Sequence, residues 1–389
     1  MRLAAYSDFP YRRHREHVYA EQAFVLFLLG MRDLVERLVL VGRLDPEPAP
    51  WHFQLPDSVE YRALPYYRRL SRPLHVVAVL ARSARIFWRT LDEVDTVWLF
   101  GPNPMAVLFA LLAMARRRRV ALGVRQDYVE YVRNRHPRRP LLGAVAYLLE
   151  GAFRMLGRRC AVVVVGPRLA QHYAHARRLL SISVTLVGEQ DLVADADTAG
   201  SSHDGEVVVL SVGRLDNEKN PMLLAEALRL LAAGADNWRL VVCGEGPLAE
   251  PLQERLRALG VADRADLRGF VPAGPALNDV YRNSDLFLHT SLTEGVPQVL
   301  FEAFAAGLPV VATDVGAVAE TVGDAALLVP PGDARAAEQA LRRLAADPEL
   351  RARVAASGLR IARAHTREAQ CSRVVEFLDD SQRPQASTS

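Results

Sequence analysis

The sequence predicts an α/β protein built from two doubly wound, Rossmann-like domains. Short, nearly continuous Val/Leu runs alternate with helical stretches along the chain, as parallel strands covered on both faces require. The alternation stops at residues 188–205, where Asp, Ser, Gly and Ala replace apolar periodicity, and then starts afresh. A chain of 389 residues, half of them apolar, is long for one domain and sufficient for two cores.

In the first half, residues 1–187, strands are expected at Arg2–Tyr6, Arg37–Val41, Glu60–Leu64, Thr96–Phe100, Val120–Val124, Ala161–Val165 and Ser183–Val187. Helices are expected between them at Val18–Met31, Leu74–Leu91, Pro104–Ala115, Leu141–Leu156 and Arg168–Leu180. The Pro-rich stretch Asp45–Asp57 reads as a loop whose Trp51 and Phe53 cover part of the core. After the linker at 188–205, strands are expected at Val207–Val212, Arg239–Cys243, Asp266–Gly269, Leu286–Thr290, Pro309–Thr313 and Ala326–Val329. Helices fall at Pro221–Ala233, Leu248–Leu259, Ala276–Arg282 and Val299–Ala306, and from Gly332 to about Asp380 with a break near Asp347-Pro348. The second domain is set at 206–365, with a helix at 366–380 able to pack back on the first domain and a disordered tail at 381–389.

No secretory leader is visible and the longest apolar runs are too short to span a bilayer, so a cytoplasmic protein is expected. Cys160, Cys243 and Cys371, odd in number and without metal-ligand spacing, agree with a reducing compartment. The overall charge of +3 hides an asymmetry. Residues 1–187 hold 29 Arg against 15 Asp and Glu, a net of +14, and the remainder nets −11. The run Arg116–Arg119 and the cluster of Arg133, Arg135, Arg138 and Arg139 belong to the basic half. Such patches attract phosphates, and nucleic acid is not the expected partner. Peripheral contact with an anionic membrane surface is. The apolar segments Met105–Ala115 and Leu141–Leu156 beside these arginines read as ordinary core-facing helices.

The residues able to carry chemistry gather in the second half. The chain has 47 Arg and a single Lys, Lys219, in VGRLDNEKNP just after the first strand of that half. Chance survival of one codon would explain it. So would a site needing a compact ammonium rather than a planar fork. Arg214 and Lys219 flank a strand-to-helix turn, where two cations can grip a diphosphate. Gly244-Glu245-Gly246-Pro247 and Arg268-Gly269-Phe270-Val271 follow the next two strands. Glu294 stands in a loop before an apolar helix, Pro297 suits that helix's first turn, and Gly307 its end. Glu302 lies inside it, where a carboxylate needs a partner. Glu294 and Glu302 read either as a solvated acid and half of a structural ion pair, or as contacts to a polyhydroxylated ligand. In the second case the N–H groups near Gly295 and Val296 face an anion.

The motifs VGRLDNEKN, CGEGP, LRGFV and TEGVPQVLFEAFAAGLPVVATDVG, in this order over residues 206–365, closely resemble the nucleotide-binding half of the retaining GT-B glycosyltransferases of family 4, the glycosyl transferases group 1. The resemblance implies two Rossmann-like domains facing each other across a cleft, and transfer of a sugar from a UDP- or GDP-linked donor with retention. It implies that Arg214 and Lys219 bind the donor diphosphate, that Glu294 contacts the sugar and Glu302 the ribose. Gly244, Glu245, Gly295 and Val296 then line the donor pocket, and the turn at Arg268 and Phe270 holds the base mainly through backbone groups. Outside the linker no Asp-x-Asp-type metal motif is evident, so neither an obligatory metal nor a further cofactor is expected. On the acceptor side the chain departs from the family. The usual Gly-Gly turn is Tyr6-Ser7-Asp8-Phe9-Pro10, and the usual His gives way to Gly123-Val124-Arg125-Gln126-Asp127-Tyr128. Ser7, Asp8, Arg125 and Asp127 are the candidates there, with Asp127 in place of the His, and the acceptor stays open, lipid-linked or otherwise anionic. An epimerase on the same fold, needing no second substrate, and a non-catalytic nucleotide-sugar-binding protein are the alternatives.

Overall fold

The computed structural model describes residues 1–47, 51–67, 73–135, 139–194, 205–234, 237–295 and 297–379. It divides the chain into two units, Met1–Val184 with the segment from Arg367 onward, and Thr185–Thr366.

The first unit contains β1 (Arg2–His14), β2 (His17–Ala20), α1 (Phe24–Leu29), β3 (Arg37–Asp45), β4 (Phe53–Gln54), β5 (Glu60–Leu64), α2 (Pro73–Thr90), β6 (Thr96–Gly101), α3 (Pro104–Ala115), β7 (Arg119–Val124), α4 (Tyr128–Arg135), α5 (Pro140–Gly157), β8 (Ala161–Val165), α6 (Pro167–His172) and β9 (Arg178–Ile182). Seven strands lie parallel in the order β5-β3-β1-β6-β7-β8-β9, and β2 and β4 extend the sheet antiparallel from the end of β1. Alternate residues feed opposite faces. Ala4, Tyr6, Val39 and Val41 pack into one core, and Leu3, Ala5, Leu38 and Leu40 into the other.

The second unit contains β10 (Glu206–Val212), α7 (Met222–Ala232), β11 (Asn237–Cys243), α8 (Ala249–Ala258), β12 (Ala265–Gly269), α9 (Pro275–Arg282), β13 (Leu286–His289), α10 (Gln298–Ala305), β14 (Val310–Thr313), α11 (Val318–Val322), β15 (Ala326–Val329), α12 (Ala334–Ala346) and α13 (Pro348–Ala364). Its six strands are all parallel, in the order β12-β11-β10-β13-β14-β15. The direction of winding therefore reverses between β10 and β13, and the crevice beyond the carboxyl ends of those two strands is where this topology places ligands. Asp333 and Asp347 cap α12 and α13, each accepting at 2.9 Å from a backbone N–H three residues on, which separates the two helices. The last helix, α14 (Arg367–Asp379), belongs to the first unit, where Cys371, Val374 and Leu378 pack with Phe27 and Leu28.

Four local expectations are corrected. Val18–Met31 is not one helix. β1 runs on to His14, turns at Arg15-Glu16 and pairs with β2, leaving only Phe24–Leu29 helical. The proposed helix Arg168–Leu180 ends at His172, and the last strand of this sheet is Arg178–Ile182 rather than Ser183–Val187. In both places an open sheet edge competes for the backbone, and the hydrogen bonds of the ladder outweigh local helical periodicity. Residues 189–191 form a 3-10 turn inside the expected linker, while 195–204 and the tail 381–389 lie outside the described residues. Finally, α3 is a core helix, with Met105, Ala106, Phe109, Ala110 and Ala113 buried, but α5 is only half one. Leu141, Leu148 and Met155, seven residues apart on α5, are 81%, 73% and 64% exposed. Among the described residues no helix is long and apolar enough to cross a membrane.

Candidate active site

The turns at the carboxyl edge of the second sheet stack on one another through their backbones. Gly213 N–H donates to Cys243 O at 3.0 Å, Leu215 N–H to Glu245 O at 2.9 Å, and Gly244 N–H to Gly269 O at 2.7 Å. The packing is tight enough to need glycine. A Cβ on Gly244 would stand 1.8 Å from Gly213 O, and one on Gly316, at φ +58°, 1.9 Å from Glu294 O. Gly316 thus lets the β14 turn approach the loop carrying Glu294.

Against this frame the chain assembles a four-membered polar cluster from β10, β13 and their following loops. Lys219 Nζ donates to Glu294 Oε1, forming an ion pair. Ser291 Oγ donates to the same oxygen at 2.7 Å, and His289 Nε2 lies 3.0 Å from it and 3.1 Å from Ser291 Oγ. With Ser291 donating to the carboxylate, the consistent tautomer places the proton on His289 Nε2, shared between Glu294 and Ser291. His289 and Ser291 are 4% and 1% exposed. The loops are laced together as well, by Thr290 Oγ1 donating to Lys219 O at 2.9 Å and Leu292 N–H to Glu218 O at 2.7 Å.

Electrostatics decide the charge state of Glu294. Burial pushes its carboxyl up, yet the His289 hydrogen bond and the Lys219 ammonium outweigh burial and hold it down at about 2. It is therefore ionised. All three donors converge on Oε1, and Oε2 has no partner among the described residues. Arg214 is held differently. It is 66% exposed and pairs with Asp216 at 2.7 Å and Glu218 at 3.1 Å. A cavity here is lined by Gly213, Arg214, Lys219, His289, Thr290 and Ser291.

The other residues singled out in this half make no side-chain hydrogen bond to that cluster among the described residues. Glu302, on α10, accepts from Tyr281 OH at 2.8 Å, and burial together with the nearby Asp191 charge pushes its carboxyl up. Glu245 accepts from Phe270 N–H at 3.3 Å, so that backbone donor is already engaged, and Arg268 pairs with Asp266 at 2.9 Å. The Phe270 ring is 59% exposed. Gly295 is exposed, Val296 lies outside the described residues, and Pro297 is the N-cap of α10 rather than its first residue. His289 and Ser291 were missed by sequence reasoning. The available signal was a histidine closing an otherwise apolar strand, LFLH, at the carboxyl edge of a sheet.

In the first unit the candidates take the following places. Ser7 is 1% exposed, its hydroxyl 3.4 Å from Tyr11 OH inside the core. Asp127 is exposed, and one of its carboxylate oxygens accepts from Glu130 N–H at 2.9 Å and caps α4. Asp8 accepts from Tyr67 OH at 2.7 Å and pairs with Arg43 at 3.1 Å. Arg125, beyond the carboxyl end of β7, stacks its guanidinium 3.9 Å from the Phe24 ring centre and has no ion-pair partner among the described residues. Burial alone lowers its guanidinium to about 10.

Residues 194–360 match the family model described as Glycosyl transferases group 1. Structural likeness extends over the whole chain. A sucrose-phosphate synthase from Thermosynechococcus elongatus superposes with a TM-score of 0.70 at 18% identity, over 98% of each chain. Anabaena Alr3699/HepE in complex with UDP gives 0.69 at 17% identity, over 98% of this chain and all of that one. The fold is GT-B, and the residues that match the group 1 family model lie within the second unit. Sequence relatives include the 2-deoxystreptamine N-acetyl-D-glucosaminyltransferase of Niallia circulans, 28% identical over 40% of this chain and 45% of that protein. The alpha-monoglucosyldiacylglycerol synthase of Streptococcus pneumoniae is 27% identical over 48% of this chain and 44% of that protein. The matched region spans less than half the length of either relative.

Proposed function

We propose that this protein is a retaining glycosyltransferase of family 4, moving a sugar from a UDP- or GDP-linked donor to a lipid-linked or otherwise anionic acceptor. The observation that carries the reading is the ion pair between the chain's single lysine and Glu294 at the winding reversal of a group 1 domain. Glu294 is anchored through Oε1, and Oε2 accepts from hydroxyls of the donor sugar. Lys219 divides its three N–H donors between Glu294 and the diphosphate, offsetting the charge that grows on the leaving group. Arg214 exchanges partners. An exposed pair such as that with Glu218 contributes about 0–1 kcal/mol, less than the roughly 1.5–3 kcal/mol of a charge-assisted bond to phosphate. Glu302 takes the ribose hydroxyls, and Phe270 with Arg268 flanks the base.

The test is release of nucleoside diphosphate from a panel of UDP- and GDP-sugars with candidate acceptors, and NMR of the product's anomeric proton. Turnover with the donor's configuration kept is the expected result. Inverted product would remove retention, and no turnover with any donor would remove the activity. Ribose contacts persist from ground state to transition state, so Glu302→Gln is expected to raise the donor KM roughly tenfold with kcat nearly unchanged. A fall in kcat alone would contradict the ribose role.

An anionic acceptor suits Arg125, a desolvated guanidinium without a carboxylate partner among the described residues. A membrane-borne one suits α5, where Leu141, Val145, Leu148 and Met155 are exposed and Glu150, its one acid, turns inward to Tyr173. Vesicles containing phosphatidylglycerol should sediment the protein at low salt and release it at high salt, and Leu141→Glu/Leu148→Glu should weaken the association. Absence of binding at low salt would leave a soluble acceptor.

A further inference from the structure

The first unit holds a second cavity, independent of the glycosyl-transfer reading. It lies at the amino ends of β7, β8 and β9, the edge of the sheet opposite to the one where Asp8 and Arg125 sit. The hollow has a volume of about 210 Å³, and five arginines line it, Arg118, Arg119, Arg159, Arg177 and Arg178, around the buried Cys160. The Arg116–Arg119 run thus divides. Arg116 pairs with Asp92 at 2.9 Å and stacks on Trp88, while Arg118 and Arg119 turn to the hollow.

Little balances this charge. Arg119 pairs with Asp379 at 3.1 Å, and Arg178 stacks 4.6 Å from the centre of the Phe377 ring. Among the described residues Arg118, Arg159, Arg177 and Arg178 have no carboxylate partner. Arg118 Nε and Arg178 Nη1 are withdrawn from water without a hydrogen-bond acceptor. A buried donor left unmet is unfavourable, and like charges gathered in one hollow add to the cost. One polyvalent anion would relieve both, since guanidinium forks match phosphate oxygens in pairs.

We propose that this hollow is a binding site for a phosphate-bearing anion carrying two or more charges. Its ligand chemistry is that of a diphosphate or of a phosphomonoester headgroup, and a monovalent ion such as chloride does not satisfy it.

The probe is sodium pyrophosphate, titrated calorimetrically at constant ionic strength into the Arg214→Ala/Lys219→Ala protein, so that the second unit's cations do not contribute. One saturable site is expected. Arg118→Gln/Arg178→Gln should weaken it at least about tenfold. Arg159→Gln/Arg177→Gln changes two exposed side chains that put little of the fold at risk, and should weaken it as well. No saturable binding, or binding that neither double variant alters, overturns the site. Vesicles containing phosphatidic acid, whose phosphomonoester head can carry two charges, then separate the two sources. Sedimentation displaced by pyrophosphate and lost in the arginine variants identifies a lipid headgroup. Pyrophosphate binding without such sedimentation identifies a soluble anion, and either result supports the site.

Discussion

Glu294→Gln is expected to lower kcat on the order of a hundredfold while the protein stays folded. The amide keeps the shape but loses the charge that holds Lys219, and it cannot accept three donors at one oxygen as strongly as a carboxylate does. Displacing an active-site group by about 1 Å typically costs that much in rate. The side chain sits in a loop, so little packing is lost. A fully active Glu294→Gln protein would falsify the sugar-contact role. The same substitution has a signature in stability. The folded-state carboxyl is depressed to about 2 from an ordinary 4.5, so its stabilisation is complete above pH 4.5 and fades as pH falls toward 2. Denaturant midpoints measured across that window should fall less steeply with acid in Glu294→Gln than in the wild type.

Lys219→Ala is expected to weaken binding of the nucleoside diphosphate at least about tenfold more than binding of the nucleoside, because only the diphosphate meets the ammonium. Equal losses for the two ligands would remove the diphosphate role. The substitution also withdraws one of the three donors from Glu294, whose side chain is 9% exposed, and so shifts that carboxyl upward and narrows its acid-stability window. Lys219→Arg should not restore binding. A planar guanidinium cannot replace a compact ammonium at an oxygen already shared by His289 and Ser291.

The two sheets were unequally legible. In the second unit every strand lies within three residues of its expected ends, as with Val207–Val212 against Glu206–Val212. The inner strands β10, β13 and β14 are buried at most or all of their residues and bounded by Gly, Pro or Asp, which are local signals. In the first unit β2 and β9 were read as helix, because Leu179, Leu180 and Ile182 have a spacing that suits either element. The open edge beside β8 settles the matter, and no local pattern carries that information.

The candidate site divides the same way. The lone lysine, the paired glutamates and the glycine turns are visible in the chain as letters, since each departs from its local background. That Lys219 meets Glu294 across 75 residues, or that His289 and Ser291 join them on one oxygen, is not. Nor is the burial of Ser7, the capping of α4 by Asp127, or the meeting of Arg118, Arg159 and Arg178 in one hollow. The sequence alone determined the fold class, the second sheet and the residue types at its carboxyl edge, because hydrophobic period and turn chemistry act over a few residues. Tertiary structure alone decided which side chains face one another and which carboxylates carry charge, because contact and desolvation depend on strands brought together from distant parts of the chain.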